Sequence, residues 1–153
     1  MSRVEEIASQ FETVTAEALA TIGAADESKF QNTSGEEGWT AAFLAHHIAT
    51  GLEPISGLVQ GIAKGAEMPA LTMEMLHEQN AQNASANAKA PKAETLATLR
   101  SASALAGLRA LSDADLDKSA QVIGNPMTTE QAAQGILIGH VSDHIASFKA
   151  TIG

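Results

Sequence analysis

Residues Gly135–Gly153, GILIGHVSDHIASFKATIG, decide how this chain folds. With Ala133 just upstream, the residues Ile136, Leu137, His140, His144 and Phe148 recur at steps of three and four, the repeat of one helical face. Thr128-x-x-Gln131 precedes them and has the form of a capping box, so a helix is expected near 129–151. His140 and His144 fall on the apolar side of that helix. Residues four apart on a helix are neighbours, with Cβ atoms roughly 5–6 Å apart. Two neutral imidazoles at that spacing can share one metal ion, because each offers a nitrogen lone pair.

Outward from this helix, the rest of the chain reads as more helix. Ser2-x-x-Glu5 caps a run in which Val4, Ile7, Ala8, Phe11, Val14, Ala18 and Ile22 keep the helical period up to Gly23. Residues 24–38 are polar and read as a loop. A second helix is expected from Thr40, with Leu44, His47, Ile48, Gly51, Ile55, Leu58 and Ile62 along one broad face. Pro54 should kink it, and Gly65 and Pro69 should end it. His47 then points inward, whereas His46 lies about 100° round the helix and does not. Residues 71–89 are helix-prone but polar, and Pro91 stops them. A third strong helix is expected at 92–111, with Leu96, Leu99, Ala102, Ala106 and Leu108 in or near the core. Ser112–Asp115 reads as a turn and Gly124-Asn125-Pro126 as a loop.

The sum is an all-α fold: a four-helix bundle with helices near 3–22, 40–64, 92–111 and 129–151, an additional helical segment near 71–89, and no sheet. With 153 residues it is expected to be a single domain, 1–153, with a real core. Aromatic residues make up only 3% of the chain, and the Ala- and Leu-rich remainder favours helix over strand.

Bulk properties exclude several functions. The net charge of −9 argues against nucleic acid and against anionic membranes, both of which need clustered Lys and Arg. There is no cysteine, so the chain has no disulfide, thiolate ligand or cysteine nucleophile, and any thiol in its chemistry must arrive on a small molecule. No apolar run reaches the length of a membrane span, and MSRVEEIASQ lacks the apolar stretch of a signal peptide, so the expectation is a cytoplasmic protein without membrane partners.

A lone histidine on an apolar face is most often a hydrogen-bonded core residue. Here His47, His140 and His144 all point inward from two helices, where unpaired polar groups are costly. One metal ion satisfies all three and keeps coordination positions free, as a catalytic site requires. His46 serves as the off-face control. Glu74-x-x-His77 has the spacing used in di-iron bundles, but no second such motif exists and it reads as a solvated pair. Asp143 reads as a surface residue and Trp39 as a hydrophobic plug over the bundle end. No serine nucleophile elbow and no phosphotransfer-type histidine motif is present.

Gly38-Trp39-Thr40 followed by Ala45-His46-His47-Ile48-Ala49, then Asn80-Ala81, then AETLATLRSASALAGLRALSDADL at 93–116, and last His140-x-x-x-His144, occur in the order of the motifs of the DinB/YfiT-like superfamily. The chain resembles that superfamily from about Val4 to Phe148. The resemblance implies a four-helix bundle with a crossover connection, often dimeric. It also implies a divalent metal held by His47, His140 and His144. Members with known activity include transferases and isomerases that use bacillithiol, mycothiol or glutathione, and others are hydrolases.

The expectation is therefore a metal-dependent enzyme on a small-molecule substrate. A zinc or nickel ion on three histidines would activate a water or a small thiol cosubstrate for hydrolysis, thiol transfer or isomerisation. The chain is expected to form a homodimer. Catalytic residues beyond the metal ligands are not specified, and Glu53 is a candidate base only by its position after His47. The alternative class is a non-catalytic metal-binding or protein-interaction bundle. With ordinary histidine pKa values near ~6.5, metal should be lost as the pH falls from about 7 to about 5.

Overall fold

Four hydrophobic helical stripes meet in the computed structural model, which describes residues 1–35 and 37–153. Helix α1 spans Arg3–Ala24, and the Ser2 hydroxyl caps it by accepting from the Glu5 amide. Helix α2 spans Ala41–Lys64, capped by Thr40 at its start and by Gly65 at its end. Gly65 sits at φ 69°, the left-handed geometry that a helix C-terminus favours and that glycine adopts without strain. Pro54 lies within α2. Helix α3 spans Met73–Ala86, α4 Lys92–Thr98 and α5 Ala102–Arg109. The last helical run is α6, Thr129–Gln131, then a π-helical stretch, Ala132–Ile138, then α7, Gly139–Ile152.

The packing defines the bundle. α1 packs on α5 and α7, and α2 packs on α7 and on both α4 and α5. The two helices consecutive in the chain, α1 and α2, thus each lie between the same two neighbours, on opposite sides of the bundle. The described residues between them, 25–35 and 37–40, belong to the connection that spans from one side to the other. Phe30 anchors its first half: it is buried and meets Phe148 edge-on, with centroids 5.7 Å apart. Thr33 and Thr40 form an isolated bridge, and Ala41 and Ala42 donate to the Asn32 and Phe30 carbonyls. The N-terminus of α2 is fixed before the helix begins.

The core is aliphatic with three phenylalanines at its heart: Phe11, Phe43 and Phe148 are all essentially inaccessible. α3 contributes nothing to it. None of its residues is buried, and Met73 and Met75 are about half exposed, at 52% and 49%. It is the additional helical segment expected from the sequence, lying outside the bundle rather than covering it.

Three expectations need correction. The third helix is not continuous over 92–111. It breaks at Leu99, whose ψ of 82° takes the chain out of the helix. The Thr98 hydroxyl donates to the Glu94 carbonyl and the Arg100 guanidinium to the Ala97 carbonyl, so carbonyls of the last α4 turn are satisfied without further helix. The break resets the phase: Ala104 and Leu108 point inward, and Ala102 and Ala106 are exposed.

Secondly, there is a sheet. β1 (Ser119–Val122) and β2 (Asn125–Thr128) form an antiparallel hairpin, with Val122 opposite Asn125 and Ser119 opposite Thr128. Its two-residue loop, Ile123-Gly124, has φ of 50° and 77°, the double positive of a type I′ turn. Isoleucine is a rare choice there, and Pro126 inside β2 reads as a breaker, so the sequence conceals the hairpin. The ribbon has only four residues per strand and leads into α6, and the four-helix architecture stands.

Thirdly, the last helix is not α throughout. Thr129, Ala133, Leu137, Val141 and Ile145 are all buried at a constant spacing of four. At 3.6 residues per turn, four residues overshoot one turn by about 40°, so a pure α-helix would carry this row off the core. The wider π turns at 132–138 advance less per residue and take the overshoot back. His140 and His144, each one position before a buried residue of that row, keep a fixed place beside it.

Candidate metal centre

His47 comes from the second turn of α2, and His140 and His144 from the first turns of α7. The two helices pack directly on each other. The structure brings the three together: one ring nitrogen from each can be chosen so that all lie within 4.8 Å of one another. Ring centroids are 4.8 Å apart for His47 and His140, 4.7 Å for His47 and His144, and 4.9 Å for His140 and His144. All three are half-buried. No other group of three His, Asp or Glu side chains converges in this way among the described residues.

His46 turns away, as the helix face requires. Its ring lies 6.3 Å from that of Phe43, and Glu94 of α4 is its charged neighbour. Glu74 and His77 are exposed on α3, and Asp143 is exposed on α7. Glu53 does not join the histidines. It lines a separate cavity of about 480 Å³ between α2 and the α4–α5 break, together with Thr50, Ser56, Arg100 and Ser103.

Trp39 packs on the core as a plug does, but the surface it covers is the histidine cluster itself. Its ring lies 5.3 Å from that of His47 and 6.0 Å from that of His144. Phe43, one turn before His47, adds a second aromatic wall at 5.3 Å. The sequence reading also missed Glu37. Buried Ser34 donates to its carboxylate at 2.9 Å and accepts the Trp39 amide at 3.2 Å, so a single hydroxyl fixes the Glu37–Trp39 turn against the site. The Glu37 and Asp143 charges both act on His144.

Burial governs the electrostatics. Desolvation pushes the His47 pKa down to about 3, helped by the charge repulsion it would feel from His140, His144 and His46. His140 is pushed down to about 4, again by desolvation first and by His144 second, against the opposing effect of hydrogen bonds to backbone carbonyls of α2. His144 is lowered by desolvation, partly offset by Glu37 and Asp143. Near neutral pH the cluster is therefore three uncharged imidazoles.

That donor set fits a divalent ion. Neutral imidazole is the protonation state a metal requires. The His140 Nε2–H donates to the His47 carbonyl at 3.0 Å, which leaves Nδ1 as the lone pair of that ring. A ring nitrogen anchored on a backbone carbonyl is the usual support of a ligating histidine. Donors on one tetrahedral ion at about 2.1 Å lie about 3.4 Å apart, so the three rings would close in from their present spread of up to 4.8 Å to share an ion.

A helical bundle with a crossover after α1 and a three-histidine cluster between its second and last helices is the class of protein these features define. The family described as mycothiol maleylpyruvate isomerase N-terminal domain matches residues 11–145, and the chain belongs to that family, which is one of the DinB/YfiT-like helical families. Among solved structures, the fold is similar to a mycothiol-dependent maleylpyruvate isomerase, with TM-score 0.68 and 19% identity. It is also similar to a histidine-to-alanine variant of such an isomerase, with TM-score 0.73 and 16% identity. Both comparisons cover 95% of this chain but 60% of the other, so the chain spans about three-fifths of the length of those isomerases. No curated protein matches the sequence. Among the described residues, no helix is long and apolar enough to cross a membrane.

Proposed function

We propose that this domain is the metal-holding part of a thiol-dependent enzyme, an isomerase or transferase acting on a small electrophile. The observation that carries the reading is the convergence of three neutral imidazole donors, within 4.8 Å of one another, in a chain without cysteine. His47, His140 and His144 would hold a divalent ion, zinc or nickel by donor type. Such an ion supplies Lewis acidity, which lowers the pKa of a thiol or water that joins it. Trp39 and Phe43 shield the cluster from bulk water on one side, Phe43 from within the core and the partly exposed Trp39 at the surface. Glu37, held by Ser34 and acting in charge on His144, is the candidate we favour for proton uptake over Glu53, which the sequence offered only by its position. The family match supports a low-molecular-weight thiol as cosubstrate. The single-domain organisation, the cytoplasmic location and the homodimer expected from the sequence belong to the same reading.

The test is elemental analysis of protein purified without a histidine tag, beside a His140→Ala variant. It is followed by turnover assays with mycothiol, bacillithiol or glutathione and an unsaturated α-keto acid. About one divalent ion per chain, lost in the variant, and thiol-dependent turnover are expected. Metal without turnover would favour the non-catalytic metal-binding bundle, and no metal in either protein would overturn the centre itself.

A further inference from the structure

His140 reaches the cluster through a gap in α2. A Cβ built on Gly51 would lie 2.7 Å from His140 Cε1 and closer still to Nε2. Carbon atoms do not approach so near, and the ring cannot swing aside easily: it is wedged between α2 and α7, with His47 and His144 against its other faces. Gly51 is in the helical interior, where glycine is disfavoured by roughly 1 kcal/mol against alanine and brings no backbone requirement of its own, because its φ is not positive. Gly57, one and a half turns further along the same helix, meets nothing within 4 Å of an added Cβ. The two glycines thus differ in what they accommodate. At Gly51 the missing side chain makes room for an imidazole, and the His47 carbonyl, exposed one turn earlier, receives its Nε2–H at 3.0 Å.

From this geometry we infer that Gly51 and the His47 carbonyl form a seat that positions His140: the seat fixes the ring in the Nε2–H tautomer, so that His140 presents Nδ1 to the shared centre. Gly51 touches no substrate and acts only through His140, so it is a positioning residue. The seat also ties two candidate ligands together, since the backbone of His47 orients the ring of His140. The inference rests on the proposed metal centre for its consequence, but the seat is a property of the folded chain without metal.

The experiment uses Gly51→Ala, Gly57→Ala, His140→Ala and the double variant Gly51→Ala/His140→Ala, with Co²⁺ as the probe because its visible spectrum reports coordination. Gly51→Ala should weaken Co²⁺ binding by about 10- to 100-fold, the loss typical of removing support behind a ligand, while Gly57→Ala binds as the parent does. Thermal melting of the metal-free proteins supplies the second readout. Gly51→Ala should lower Tm in the parent, where the ring is displaced. It should raise Tm in the His140→Ala background, where the ring is gone and only the helix preference of alanine remains. ¹⁵N spectra of the imidazoles should show His140 protonated at Nε2 in the parent. Gly51→Ala protein that binds Co²⁺ as tightly as the parent, or a Tm change of the same sign in both backgrounds, would overturn the seat. A parent that binds no Co²⁺ would sink the metal centre alone, and the melting pair and the tautomer would still decide the seat.

Discussion

One step of about 100° along a helix separates a candidate ligand from its control at His46 and His47. The apolar stripe of α2 selects His47 on the sequence alone, and the structure puts that ring with His140 and His144 while His46 faces Glu94. Alanine at position 47 should abolish tight metal binding, and alanine at 46 should leave metal content unchanged. Dialysis against trace Zn²⁺ followed by elemental analysis measures both, and equal loss in the two variants would refute the facing. What the sequence does not disclose at this scale is room. Gly51 looks like one more small residue on the apolar face until the ring of His140 is seen beside it. Glu37 looks like one acid in a polar loop until the Ser34 hydroxyl is seen to hold it. Glu37→Gln keeps the side chain's shape and its bond to Ser34 but removes the base. It should lower kcat with little change in metal content, and a parallel loss of metal would show instead that Glu37 supports the centre.

At the scale of elements, caps were the most legible signal, because capping is local chemistry. Ser2 and Thr128 each accept from the amide three residues on, as their capping-box spacing suggests, and Thr40, expected as the first residue of its helix, proves to be its cap in the same way. Thr128 and Gln131 complete a reciprocal box, the Thr128 amide donating to the Gln131 side chain at 2.9 Å. Thr128→Ala should cost about 1 kcal/mol of unfolding free energy in urea titrations. A change near zero would mean that the preceding hairpin holds the start of α6 without the cap. The elements that eluded the sequence depend on tertiary context. The break at Leu99 buries a leucine that either helix phase could have used. The hairpin needs an isoleucine at positive φ, against its preference. The π stretch has one legible trace, the strict four-residue spacing from Thr129 to Ile145, which an ideal α period cannot keep on one face.

For the molecule as a whole, the buried cluster links folding to pH. In the folded chain the His47 and His140 pKa values sit at about 3 and about 4, and that of His144 is also lowered. In the unfolded chain all three return to about 6.5. Between these limits the unfolded state binds more protons than the native state, so stability rises with pH there. The metal-free protein should therefore be fully stable above about pH 6.5 and lose stability as the pH falls toward 4. The same shifts revise the expectation for metal. Ordinary histidines would release the ion between pH 7 and 5, but His47 and His140, at about 3 and about 4, are still neutral at pH 5 and His144 is shifted in the same direction, so the ion competes with fewer protons in the native state. An ion that binds only folded protein adds RT ln(1 + [L]/Kd), roughly 2.7 kcal/mol at a hundredfold excess over Kd. The gap in Tm between metal-loaded and metal-free protein should thus be present at pH 7.5 and close at a lower pH than ordinary histidines would allow. Melting curves with and without Zn²⁺ from pH 7.5 downward measure it. A gap already closed at pH 5 would mean that the three histidines titrate as exposed ones do, and that the burial described here does not hold them neutral.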